Sequence, residues 1–212
     1  MTLTFSDALC TLEPHVNALY SIPLKAWDRY HDGISNDFRV VFCKRTRASA
    51  VHDLMLKEAA GYANDKDDVR WFESDKLYGL VIEERVAIRL KKLNSKKLPS
   101  NHRTKQVIDY RSQRHIDGID AIHHLELGYT LDLLEKNIAK VYLVYPSGMQ
   151  INVWEVELKR DKVLPVESIF SNREDDEIKP AIIKPRPLGI ILPFSKVERE
   201  GSANVKNDND KN

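Results

Sequence analysis

The chain has 212 residues, 42% apolar and 31% charged, with 33 Lys and Arg against 32 Asp and Glu and a net charge of +1. That length and balance fit one soluble domain with appendages. They exclude a uniformly basic or acidic protein, so any electrostatic partner must be met by a local cluster. No run of about 18 apolar residues occurs, and the start, MTLTFSDALC, is no signal peptide, so neither a membrane span nor secretion is expected.

Residues 6–31 read as helical, with Ser6 as a cap and with Pro14 and Pro23 dividing the segment, because proline removes a donor and clashes in a helix interior. DGISND, residues 32–37, is a turn cluster. FRVVF after it reads as a short strand or as the start of the next helix. In TRASAVHDLMLKEAAGYA, residues 46–63, Val51, Leu54, Met55, Ala59 and Tyr62 recur at spacings of three and four. They predict one apolar helix face, capped by Thr46 or Ser49.

From residue 69 the period changes to two. VRWFES, KLYGLVIE and RVAIRLKKL predict three strands, and in the last of these Val86, Ile88 and Leu90 alternate with Arg85, Ala87, Arg89 and Lys91. A helix over 80–93 is the competing reading; dense β-branched residues and Gly79 favour strands. NSKKLPSNHR reads as a flexible polar loop and TKQVIDYRSQ as a short helix beginning near Thr104. HHLELGYTLD and IAKVYLVYP read as a hairpin around LLEKN, and MQINVWEVELKR as a further strand.

The predicted class is α+β: N-terminal helices, then about six mostly antiparallel strands with one or two short helices. The domain is placed at residues 1–165, helical over 1–63 and β-rich over 69–160. Residues 166–195 hold four prolines in IKPAIIKPRPLGIILPF and predict an extended arm, either folded on the protein or docked on a partner. Residues 196–212 are polar and predict a disordered tail.

Three patterns bear on chemistry. Arg85 to Ile108 holds eight Lys or Arg and no acid, whereas the stretch from Asn64 to Glu84 holds seven acids against three bases. The two segments either pair across the sheet or leave a basic strand and loop for a polyanion. The binding residues proposed from this stretch are Arg89, Lys91, Lys92, Lys96, Lys97, Arg103 and Lys105. Secondly, Glu157-Leu158-Lys159 has the spacing of a PD-(D/E)xK nuclease strand, in which carboxylates hold Mg²⁺ and the lysine positions the attacking water. Asp132 would complete the set, with Glu155 or Glu126 as helpers, and Mg²⁺ is expected only on this alternative. The plainer reading is a strand with one wet, charged face. Thirdly, His123 and His124 are adjacent and, in a strand, point to opposite faces. With His52, His102 and His115 scattered and only Cys10 and Cys43 as thiols, no metal site or other cofactor is expected. Two isolated thiols also suit a reducing cytoplasm.

Three segments taken in order, RTRASAVHDLM, RVAIRLKKLNSKKLPSNHRTKQVIDYRSQ and LELGYTLD…IAKVYLVYPSG…W, resemble an uncharacterised family of bacterial proteins. Its members look like small cytoplasmic proteins encoded beside helix-turn-helix regulators in toxin–antitoxin-like or phage-defence-like loci. The resemblance spans about residues 45–160, through Arg89, Lys91, Lys92, Asn101, Thr104, Gln106 and Gln113. It implies a regulatory or defence role and supplies no catalytic residue. The sequence reading is thus a non-enzymatic binding protein whose partner is nucleic acid or an acidic protein encoded nearby, with a homodimer as a candidate state. A metal-dependent nuclease and a purely structural interaction module are the alternatives.

Overall fold

Strand period and helix period divide the chain near residue 65, and the fold follows that division. The computed structural model describes residues 3–165 apart from Asp75, Asn101 and Asp161, with 162–165 given as backbone; these belong to one unit, Met1–Ser171. The expected proline-rich arm and the expected tail lie outside the described residues. The order is α1 (Phe5–Leu12), a 3-10 turn (Glu13–His15), α2 (Val16–Gly33), α3 (Asn36–Val41), α4 (Lys44–Asn64), β1 (Val69–Ser74), β2 (Leu77–Ile82), β3 (Val86–Lys92), α5 (Lys105–Arg111), β4 (His123–Leu131), β5 (Ile138–Pro146), β6 (Asn152–Lys159) and β7 (Lys162–Pro165).

The α+β class is as expected. The strands form one sheet in the order of the chain, β1 to β7. Every neighbouring pair is antiparallel except β3 and β4, which α5 and its flanking loops connect as a parallel crossover. No described helix is long and apolar enough to cross a membrane.

The two faces of the sheet have different covers. On one, Leu80, Ile82, Ile88, Leu90, Leu125, Leu127, Leu143 and Val156 bury against Leu19, Ile22, Trp27 and Tyr30 of α2 and Val51, Met55 and Ala59 of α4. On the other, Phe72, Leu77, Val81 and Ala87 meet Val107 and Tyr110 of α5 with Ile116 and Ile119 of the loop after it. A third, small cluster of Leu93, Tyr142 and Val144 lies on that same second face. Each fully buried aliphatic side chain contributes on the order of 1.5–3 kcal/mol, so the larger first face dominates stability.

Three local expectations need correction. Thr4, not Ser6, caps α1: its side chain accepts from the Asp7 amide, and Ser6 lies within the helix. Pro23 does not divide the helical segment: α2 runs unbroken from Val16 to Gly33 with Pro23 buried. A proline in a helix interior costs about 3 kcal/mol through its missing donor and the clash of its ring with the preceding turn. That cost is offset because Val16, Leu19, Ile22, Pro23, Ala26, Trp27 and Tyr30 keep one face on the core. Likewise α4 starts at Lys44 after Cys43, earlier than Thr46 or Ser49, and Cys43 gives no side-chain capping bond. FRVVF resolves as helix, in α3, which leaves Phe38, Val40 and Val41 exposed.

Gly79 and Gly128 are required by close approach. A Cβ on Gly79 would lie 2.1 Å from the Ile88 carbonyl oxygen of the paired strand, and one on Gly128 would lie 2.4 Å from Leu93 Cγ.

Candidate functional site

Between the two apolar clusters of the second face runs a belt of polar side chains. Its origin is the period of β3: with Ile88 and Leu90 turned to the main core, Ala87, Arg89 and Lys91 must face α5. The parallel register then sets His124 beside Ala87, Glu126 beside Arg89 and Gly128 beside Lys91. Thr104 starts α5 over this strip by accepting a hydrogen bond from the Val107 amide.

The last turn of α5 ties the belt together. Arg111, fully buried, donates to Glu126 Oε2, to the Gly148 carbonyl at 3.0 Å and to Asn152 Oδ1 at 3.1 Å. The Gly148 amide in turn donates to the Arg111 carbonyl. Gln113 accepts from the His124 amide and donates to the His124 and Pro146 carbonyls. The Tyr110 hydroxyl lies 3.0 Å from the Ala87 carbonyl and 2.7 Å from that of Leu125, spanning the parallel strand pair, and its ring stacks on His124 at 4.6 Å.

Against this well-bonded set stands Arg89. It is 4% exposed, its guanidinium sits 4.9 Å over the Tyr110 ring, and its Nη1 is buried with no hydrogen-bond partner. Burial lowers its pKa. Lys91, two residues on and facing the same way, is half-buried and makes no ion pair among the described residues. Burial first, then the neighbouring Arg89 charge, lowers its pKa to about 8. Glu126 is the carboxylate among them; its Oε1 is buried and unpaired. Three cationic side chains thus surround one carboxylate, which is already engaged by Arg111. Buried charges are normally paired, so this surplus is the unusual electrostatic feature of the fold. Burial also drives the pKa of His124 down to about 4, leaving the ring neutral at pH 7.

The seven basic residues expected to form a single contact surface fall into three groups. Arg89 is buried and Lys91 half-buried, in the belt. Lys92 turns to the other side of β3 and approaches Glu135 at 3.8 Å, while Lys97 pairs with Glu155 at 2.6 Å. Lys96, Arg103 and Lys105 are exposed and have no ion pair among the described residues. The loop holding Lys96 and Lys97 is also less free than its composition suggests. Leu93 and Pro99 form a β-bridge, Asn94 accepts from the Lys96 and Leu98 amides, and Asn152 Nδ2 donates to the Lys97 carbonyl. The expected cross-sheet pairing of the two segments is not seen: no ion pair joins the acidic to the basic segment among the described residues, and the forked bond of Arg70 with Glu84 at 2.9 Å lies within the acidic segment.

The nuclease alternative does not assemble. Asp132 bonds its own turn, at the Lys136 and Asn137 amides, and those bonds depress its pKa. Glu157 contacts Lys140 at 2.7 Å and Lys159 at 3.7 Å. Strand β5 separates the two acids: Glu157 lies opposite Tyr142 and Asp132 opposite Asn137. That spacing puts them roughly 10 Å apart across the strands and about 16 Å along them, beyond a shared cation. Glu155 and Glu126 are held by Lys97 and Arg111. No group of three or more His, Cys, Asp or Glu converges among the described residues.

Sequence reasoning missed Tyr110 and Arg111, which a short helix with no strong apolar period gave no reason to single out. It also missed Lys44 and Arg47, which the first turn of α4 brings to Glu135 beside Lys92. Comparison of the chain with protein-family models, with curated proteins and with solved structures gives no match.

Proposed function

We propose that this protein is a non-enzymatic binding protein that grips the phosphate backbone of a nucleic acid through the basic segment between β3 and α5. In the setting that its bacterial resemblance implies, it serves a toxin–antitoxin or phage-defence type module in the cytoplasm. The observation that carries the reading is the uncompensated positive charge of this segment. Lys96, Arg103 and Lys105 are exposed and have no ion pair among the described residues, and Arg89 and Lys91 of the preceding strand have no carboxylate of their own. Ammonium and guanidinium groups so placed exchange condensed counterions for phosphates, which gives affinity and orientation rather than base readout.

Fluorescent double-stranded DNA, single-stranded DNA and RNA, titrated with the full chain at low and moderate salt with and without Mg²⁺, test this. Binding should weaken steeply with salt and leave the strands intact. The triple variant Lys96→Glu, Arg103→Glu, Lys105→Glu should bind at least tenfold more weakly and flatten the salt slope by about three, one unit for each lost phosphate contact. No binding by any of the three ligands sinks the proposal and shifts the weight to an acidic partner protein. Mg²⁺-dependent cleavage also sinks it, in favour of an enzyme.

A further inference from the structure

We infer that Arg89 and Lys91 form a seat for a single phosphate-type oxyanion between β3 and α5. The two side chains leave one face of one strand two residues apart, so their backbones are about 7 Å from one another. That separation lets both reach one tetrahedral anion. Arg89 is buried with Nη1 unbonded, and its guanidinium carbon lies 4.9 Å over the Tyr110 ring. Lys91 is only half-buried and marks the side from which solvent reaches the pair.

The surrounding charges point to a dianion. Arg89, Lys91 and Arg111 are balanced by Glu126 alone, and Arg111 already engages one of its oxygens. Leaving two further positive charges unpaired in a largely dry site is costly, and a bound anion of charge near two removes that cost. A guanidinium fork beside an ammonium is the donor set that phosphate oxygens take best. Water-accessible surface lysines would not give this specificity; the orphaned, nine-tenths-buried arginine does. Free phosphate and the terminal phosphate of a nucleic-acid strand share this chemistry. For the second source the seat deepens the nucleic-acid reading and rests on it; for the first it stands without it.

The test starts with thermal unfolding of the full chain in sodium phosphate and in sodium chloride at matched ionic strength and pH 7. Phosphate should raise Tm by several degrees over chloride. Lys91→Met should remove that rise, whereas Lys57→Met, an exposed position on α4, should retain it. No phosphate-specific rise in the wild-type chain overturns the seat by itself, as does an equal rise in Lys91→Met. A second arm compares 5′-phosphorylated and 5′-hydroxyl oligonucleotides. A preference of tenfold or more for the phosphorylated strand, lost in Lys91→Met, assigns the seat to strand ends. Equal binding of the two with the phosphate rise intact assigns it to free phosphate. Phosphate stabilisation without nucleic-acid binding would remove the proposed function and keep the seat, and salt-sensitive nucleic-acid binding without phosphate stabilisation would do the reverse.

Discussion

Glu126→Gln should destabilise the protein by about 3–5 kcal/mol, the cost of stripping one partner from a buried ion pair. The substitution keeps the shape of the side chain and removes its charge. Arg111, fully buried, would face only neutral acceptors, namely the Gly148 carbonyl, Asn152 Oδ1 and the new amide oxygen, and Arg89 and Lys91 would lose the carboxylate nearby. Arg111→Met should cost a similar amount, since it leaves the Glu126 carboxylate buried and breaks two further charged hydrogen bonds. The double variant should cost less than the sum by about 2–3 kcal/mol, because each single change has already broken the pair. Urea unfolding followed by circular dichroism measures this, with an unchanged m value showing that the denatured state is the same. At about 2–4 °C per kcal/mol for a domain of this size, Tm of the single variants should fall by roughly 6–20 °C. Glu126→Gln within 1 kcal/mol of wild type, or full additivity in the double variant, would refute the reasoning: the pair would then contribute nothing beyond its separate members.

Gly79→Ala should be among the most damaging small changes available, costing several kcal/mol by analogy with severe overpacking. The added methyl meets the Ile88 backbone oxygen at 2.1 Å, which no side-chain rotation relieves; a soluble variant with wild-type Tm would contradict that geometry. Stability should also fall in acid through His124. Its pKa is about 4 in the folded chain against about 6.5 unfolded. The unfolded chain therefore takes the proton first, and stability is full above pH 6.5, declines between 6.5 and 4, and levels off below. At about 1.4 kcal/mol per pH unit the loss is about 3 kcal/mol. His15, His31, His52 and His123 are shifted the same way, chiefly by burial, and reinforce it. Urea midpoints at pH 7.5 and 4.5 should differ accordingly, and less so in His124→Gln; equal midpoints would remove His124 as the cause.

The belt also explains how a lone parallel pair persists in an otherwise antiparallel sheet. A parallel connection needs a crossover, and this one is a helix of only seven residues, too short to be stable through propensity. Its hold comes instead from Tyr110, Arg111 and Gln113, whose bonds reach β3, β4, the end of β5 and the turn before β6. Removing those bonds would free the crossover before it disturbed the helices on the opposite face.

Local chemistry made much of the fold legible in the chain. Alternation in residues 86–92 gives a strand with two unlike faces whatever surrounds it, because successive side chains must point in opposite directions. Thr104 announces the start of α5 because its hydroxyl answers an unpaired helix amide, and the spacing of Val51, Met55 and Ala59 announces the buried face of α4. What a strand's second face meets is not local. Arg89-Leu90-Lys91 and Glu155-Val156-Glu157-Leu158-Lys159 read alike, as apolar residues between charges. Yet the packing of α5 over β3 buries Arg89, and the Lys159 side chain stays exposed. Strand order decided the fate of Asp132 and Glu157 in the same way, since β5 lies between them. Period, local charge and the Thr104 cap are thus written in the chain. Which charges lose their water is set by packing, because desolvation depends on which distant segment is laid on top.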